Sequence, residues 1–152
     1  MMNRFLVTLA IIFTVFSCGE SSKFSNAEQT EQDKAWEVMM EGHDRAMPLI
    51  SDMHQAAKAV EEIAENHAVV ADNTHPRAMQ ALEALKNADD AMFDWMDHIS
   101  QNPIDAVRTR SASHQEVMEF IATEQKSIDQ VEEAMNNSLK QAKALIMEKG
   151  EL

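Results

Sequence analysis

Apolar residues recur at alternating steps of three and four along most of the chain, the spacing of one helical face. A first run passes through Met39, His43, Ala46, Ile50, Met53, Ala57, Val60, Ala64 and His67, with Trp36 extending the same face. It is preceded by Ser25-Asn26-Ala27-Glu28, a capping-box sequence in which serine and glutamate satisfy each other's free amides. The run fades near Ala71, and Asp72-Asn73-Thr74-His75-Pro76 supplies turn residues and then a proline suited to a first helical turn. A second helix is predicted over about 76–101 on Ala81, Leu85, Ala88, Met92, Trp95 and Ile99, flanked by Leu82 and Met96 and stopped at Asn102-Pro103. Residues 103–112 carry Arg108 and Arg110 with little apolar content and read as a connection with at most one helical turn. Ser113-His114-Gln115-Glu116 is a second capping box, opening a third helix on Val117, Ile121, Ile128, Val131, Met135, Ala142 and Leu145 that stops at Lys149-Gly150.

Pro48 interrupts the first run, because its ring removes an amide donor and presses on the carbonyl four residues back, at a cost of about 3 kcal/mol in a regular helix. The fold class expected is therefore all-α: an antiparallel three-helix bundle of long, coiled-coil-like helices, or a four-helix one if the chain splits at Pro48. At 1.5 Å per residue the first helix would be ~66 Å long and the second ~38 Å, so the second covers only the distal half of the first. Apolar surface on the proximal half would be left for the third helix, another protomer or a partner protein.

Composition narrows the picture. Three glycines, three prolines and no tyrosine in 152 residues are too few turn and aromatic residues for a sandwich or barrel. The 26 acidic side chains against 13 basic ones exclude the basic footprint of a nucleic-acid binder. The single cysteine excludes an internal disulfide and any zinc site built on two or more cysteines.

That cysteine follows an N-terminal address. Arg4 precedes an apolar stretch, Phe5 to Phe16, and small Ser17 leads into Cys18. About 12 residues is too short to span a bilayer, so residues 1–17 read as a cleaved signal peptide. Val15-Phe16-Ser17-Cys18 resembles a bacterial lipobox, with Phe16 where a small residue is usual. The resemblance implies an acylated Cys18 as the first mature residue, anchored by several acyl chains to the lipid bilayer. Gly19 replaces the aspartate associated with inner-membrane retention, which favours the outer membrane of a Gram-negative bacterium, facing the periplasm. Residues 18–27, polar and aperiodic after the cysteine, read as a flexible tether, and 28–152 as the bundle domain. Without the leader, 12 basic and 26 acidic side chains leave a formal charge of −14.

The candidate chemistry lies in ten methionines and six histidines of the mature chain. Three pairs read His-x-x-x-Met: His43/Met47, His75/Met79 and His114/Met118. Residues four apart share a helical face, so each pair offers an imidazole nitrogen and a thioether sulfur, a donor set suited to Cu(I). Reflecting the second helix about the turn at 72–76 places Met96 and His98 near the level of Pro48, and starting the third helix where the second ends adds His114 and Met118. The predicted metal set is His43, Met47, His114 and Met118, with Met40, His98 and Met96 in reserve. A haem b held by one His and one Met between helices is the other cofactor reading, weakened by having only Trp36, Trp95, Phe24, Phe93 and Phe120 as aromatics. The same residues also serve as plain core, since methionine fills irregular gaps in helical bundles. No histidine has a glutamate three residues before it, no phosphate loop or nucleophile elbow is present, and the Asp89, Asp90, Asp94 and Asp97 cluster reads as a solvated face.

Ala35-Trp36-Glu37-Val38-Met39-Met40-Glu41-Gly42-His43-Asp44-Arg45-Ala46-Met47-Pro48, followed by Met92-Phe93-Asp94-Trp95-Met96, resembles the core of small bacterial lipoproteins often labelled "viral A-type inclusion protein". The resemblance spans about 33–149 and implies no reaction, ligand or catalytic residue. It does imply that His43, Met47, Pro48, Trp95 and Met96 meet in one packed region. The expected function is a membrane-anchored, non-catalytic structural or interaction module binding a protein partner or its own copy. Copper handling is the alternative.

Overall fold

The computed structural model describes residues 23–68 and 73–149. Every regular element among them is a helix: α1 Asn26–Ala46, α2 Leu49–Asn66, α3 Thr74–Gln101, α4 Ile104–Arg110 and α5 His114–Lys149. The leader, Cys18 and Gly150 lie outside the described residues.

The capping box at Ser25 is complete, with Glu28 N–H donating to Ser25 Oγ at 3.3 Å and Ser25 N–H donating to Glu28 Oε2 at 2.8 Å. Residues 23–27, read from composition as tether, are packed. Phe24 is buried, Lys23 Nζ donates to the Ser111 carbonyl, and Asn26 and Ala27 belong to α1. An apolar ring flanked by a long ammonium can bury its body and keep its charge at the edge, which polar composition alone does not reveal.

At Pro48 the chain bends without turning. Met47 (φ −52°, ψ −41°) and Pro48 (φ −60°, ψ −25°) keep helical dihedrals, so α2 continues α1 across a break in the hydrogen-bond ladder. The break divides two packing environments. α1 lies chiefly on α5, whereas α2 lies on both α3 and α5. Ion pairs and close contacts along α5 rise together with those along α1 and α2: Gln32 meets His114, Arg45 meets Glu132 (3.1 Å) and Asp52 meets Lys143 (3.2 Å). Along α3 they run oppositely, with Arg77 bonded to Glu148 and His98 to Glu124.

The seams predicted for the second and third helices are the ones buried. Ala81, Leu85, Ala88, Met92, Trp95 and Ile99 face the core from α3, and Val117, Ile121, Ile128, Val131, Met135, Ala142 and Leu145 from α5. On α1 and α2 the buried face is turned from the predicted stripe: Met39, Ala46, Met53, Val60 and Ala64 are buried as expected, His43, Ile50, Ala57 and His67 are only half-buried, and Gly42, Ala56 and Ile63 join the core because this rod touches two neighbours. At Gly42 α1 comes close against α5: a Cβ there would lie 3.0 Å from Ile128 Cγ2.

Two polar residues occupy seam positions on α5. Glu124 follows Ile121 by three and is buried, paired with His98 Nε2 at 3.2 Å; Ser138 returns its hydroxyl to the Met135 carbonyl at 2.9 Å. Each completes the three–four spacing of that helix, so the seam is continuous in geometry although not in chemistry.

Candidate functional site

The histidine and methionine positions separate into several places. His43 stacks on Trp95, ring centroids 5.8 Å apart, and bonds Asp44 through Nδ1 at 3.0 Å. Met40, Met47 and Met96 are partly buried against the core and Pro48 is exposed, so of the expected packed region the His43–Trp95 contact is the part that forms. His114 is elsewhere. Its Nδ1 accepts from Gln32 Nε2 at 3.0 Å and its Nε2 lies 3.4 Å from Glu31 Oε2, at a level of α1 eleven residues before His43. Eleven residues of helix are about 16 Å, whereas ligands to one ion stand ~2 Å from it, so His43/Met47 and His114/Met118 are not brought to a common centre.

The displacement comes from residues 103–112. Read as a connection with at most a short helical turn, they leave the third helix starting where α3 ends; instead they form α4, with Val107 fully buried, and carry the chain on along α1 before α5 begins. Met118 lies beside Ala35 and Val38 at that lower level. His98 stacks on Phe120 at 6.2 Å while bonding Glu124, and Arg110 covers the same phenyl ring at 5.0 Å. His75 Nδ1 bonds the Ala64 carbonyl at 2.9 Å, tying the start of α3 to the end of α2. Among the described residues, no group of three or more His, Cys, Asp or Glu side chains is placed to hold a metal ion.

Around α4 the polar residues form a knot that sequence reasoning missed. Arg108 donates from Nε to Gln32 Oε1 (2.8 Å) and from Nη2 to Asp33 Oδ1 (2.6 Å) and the Gln29 carbonyl (3.1 Å). Gln32 is fully buried, so its amide oxygen and nitrogen are both satisfied, by Arg108 and His114. A single glutamine therefore links α1, α4 and α5. The signal available in the sequence was its place, seven residues before Met39 on the α1 stripe.

An apolar opening lies at the other end of the molecule. A groove of about 850 Å³ runs between α2 and α3, floored by Met53, Ala57, Met79, Leu82 and Leu85, with Pro76 at one end. Met79, at 50% exposure, stands over it. Its rim carries Glu61, Glu83 and Asp89 against Lys86 and His54. Lys86 is already held by Asp90, which raises its pKa, and His54 Nε2 bonds Asp89 Oδ2 at 3.3 Å. Asp89 Oδ1 is buried with no protein donor. A half-exposed thioether over an apolar floor, with three carboxylates on the rim, makes this the surface best equipped to hold something else.

Comparison of the chain with family models, curated proteins and solved structures gives no match. No described helix is long and apolar enough to cross a membrane.

Proposed function

We propose that the protein is a lipid-anchored, non-catalytic interaction module of the outer membrane. Its helices form three rods running up, down and up, with α1 and α2 one rod bent at Pro48. It is moored through acylated Cys18 and presents the α2–α3 face to a partner in the periplasm. The observation that carries the reading is the groove itself. It offers an apolar floor of useful size on an otherwise strongly acidic chain, with histidine and methionine side chains that serve packing and interhelical bonds. The lipobox-like tetrapeptide supports the mooring.

Two measurements in the producing bacteria test it. Metabolic labelling with an alkyne palmitate should mark the wild-type chain and leave Cys18→Ala unmarked; an unlabelled wild type overturns the anchor. A photoreactive residue at position 79 should give a discrete heavier adduct, and the same residue at position 133, an exposed position on α5, should not. Equal or absent crosslinking at the two positions overturns the interaction role.

A further inference from the structure

Resting on that reading, we infer that the α2–α3 groove seats a basic amphipathic helix of a partner protein, its apolar stripe on the groove floor and its lysines or arginines against the acidic rim. Shape is the first argument. The lining residues span 53–61 on α2 and 76–89 on α3, about 12 Å and 20 Å at the helical rise, the length of a two- to four-turn segment. Two antiparallel helices with an open crease between them offer a further helix the same ridge-and-groove packing that holds the bundle together.

The lining chemistry is the second argument. Met79, half exposed over the groove, is unbranched and polarizable, able to reshape around incoming Leu, Ile or Phe anchors, which is how methionine-lined grooves accept amphipathic helices. Ala57 leaves room on the α2 wall for an approaching side chain.

Charge decides which helix. Glu61, Glu83 and Asp89 line the rim, while the one lysine there is engaged by Asp90, outside the groove. Asp89 Oδ2 meets His54 Nε2 at 3.3 Å rather than a lysine or arginine, so the wall keeps its acidic character toward an incoming cation. A second copy of this chain is a poor occupant, because its own matching face would set the same carboxylates opposite these in a two-fold contact. An acidic helix meets the same repulsion.

The test uses the full-length protein in phosphatidylcholine nanodiscs, with empty nanodiscs as blank. The probe is a dye-labelled 14-residue helix with leucines at i, i+3, i+4 and i+7 and lysines elsewhere, read by fluorescence anisotropy. Counter-probes replace lysine by glutamate, or scramble the leucines. Saturable binding of the lysine helix alone is expected, at least tenfold weaker with Ala57→Trp, which fills the floor, and several-fold weaker with Met79→Ser. The pair Glu61→Gln/Glu83→Gln should weaken it about fivefold at low salt and flatten its salt dependence. Glu37→Gln/Glu41→Gln, on α1 outside the groove, should leave it within twofold.

Helix content by circular dichroism checks each variant, and should Ala57→Trp disturb the fold, the exposed glutamate pair still decides. Binding indifferent to both the groove and rim variants overturns the inference, as does equal binding of the glutamate helix. A dimer by light scattering that Ala57→Trp abolishes makes the occupant a second copy and also overturns it. Failure here with a position-79 adduct still formed in cells removes the basic helix while leaving the interaction role standing.

Discussion

The two ends of the molecule are closed by different means. At the distal end α2, α3 and α5 meet over Met53, Val60, Ile63, Leu85, Met135 and Leu139, an apolar core with many alanines between the larger side chains. At the proximal end α3 has already stopped, and α1 is covered by α5 with the short α4. There Gln32, Arg108 and His114 join the three helices in a connected set of hydrogen bonds beside Phe24, Val107 and Val117. Where three long helices converge, burial of apolar area is sufficient. Where two long helices are joined only by a short third, each buried polar group must find a specific partner, and that directional demand fixes the register of α4 on α1.

The contrast predicts unequal responses to mutation. The largest should come from Met135→Ala, which empties a fully buried position among three helices. A loss of about 3 kcal/mol is expected in denaturant unfolding followed by helical signal, with hydrogen exchange rising throughout. Gly42→Val forces two methyl groups against Ile128 at the boundary between the halves and should cost about 2 kcal/mol by the same measurement. A stabilised variant would show that α1 and α5 can separate there without penalty.

Arg108→Ala strips donors from Gln32, Asp33 and the Gln29 carbonyl and should cost about 2 kcal/mol. Its effect should be local: amides of 26–38 and 104–113 exchange faster while those of α2 and α3 keep their protection. Uniform loss of protection would erase the distinction between the ends. The smallest effect is the cap. The Ser25 hydroxyl and amide, both donating to Glu28, hold its carboxyl below the ordinary glutamate value of 4.5. Because the folded-state value is lowered, the stability it contributes is complete above that pH and is lost as pH falls through the lower, folded value. Glu28→Gln should therefore narrow the difference in thermal midpoint between pH 6 and pH 3, and an unchanged difference would remove the cap from the account.

Legibility in the sequence followed the same division. The α3 and α5 seams were readable residue by residue because apolar burial writes a period into the chain. What escaped was polar or small. Gln32, Glu124 and Ser138 occupy seam positions that a count of apolar residues skips, and Gly42 signals its packing role only through the cost of glycine inside a helix. α4 has just Ile104 and Val107 as large apolar residues, too short a pattern to show a period. Its omission misplaced His114 by several turns, and with it the imagined common centre with His43. The groove was hidden for another reason. Ala57 and Leu82 fit a helical stripe equally well whether a neighbour covers them or not, so periodicity identifies the face without saying what lies over it.

The position of α5 in the chain bears on when the protein can acquire its shape. α1 rests chiefly on a helix that begins more than eighty residues after α1 does and so leaves the ribosome well behind it. Until α5 emerges, the amphipathic first rod has no lasting cover, and closure waits on contacts of long sequence separation. A nascent chain of this design keeps its first rod open until a helix made much later arrives to close it.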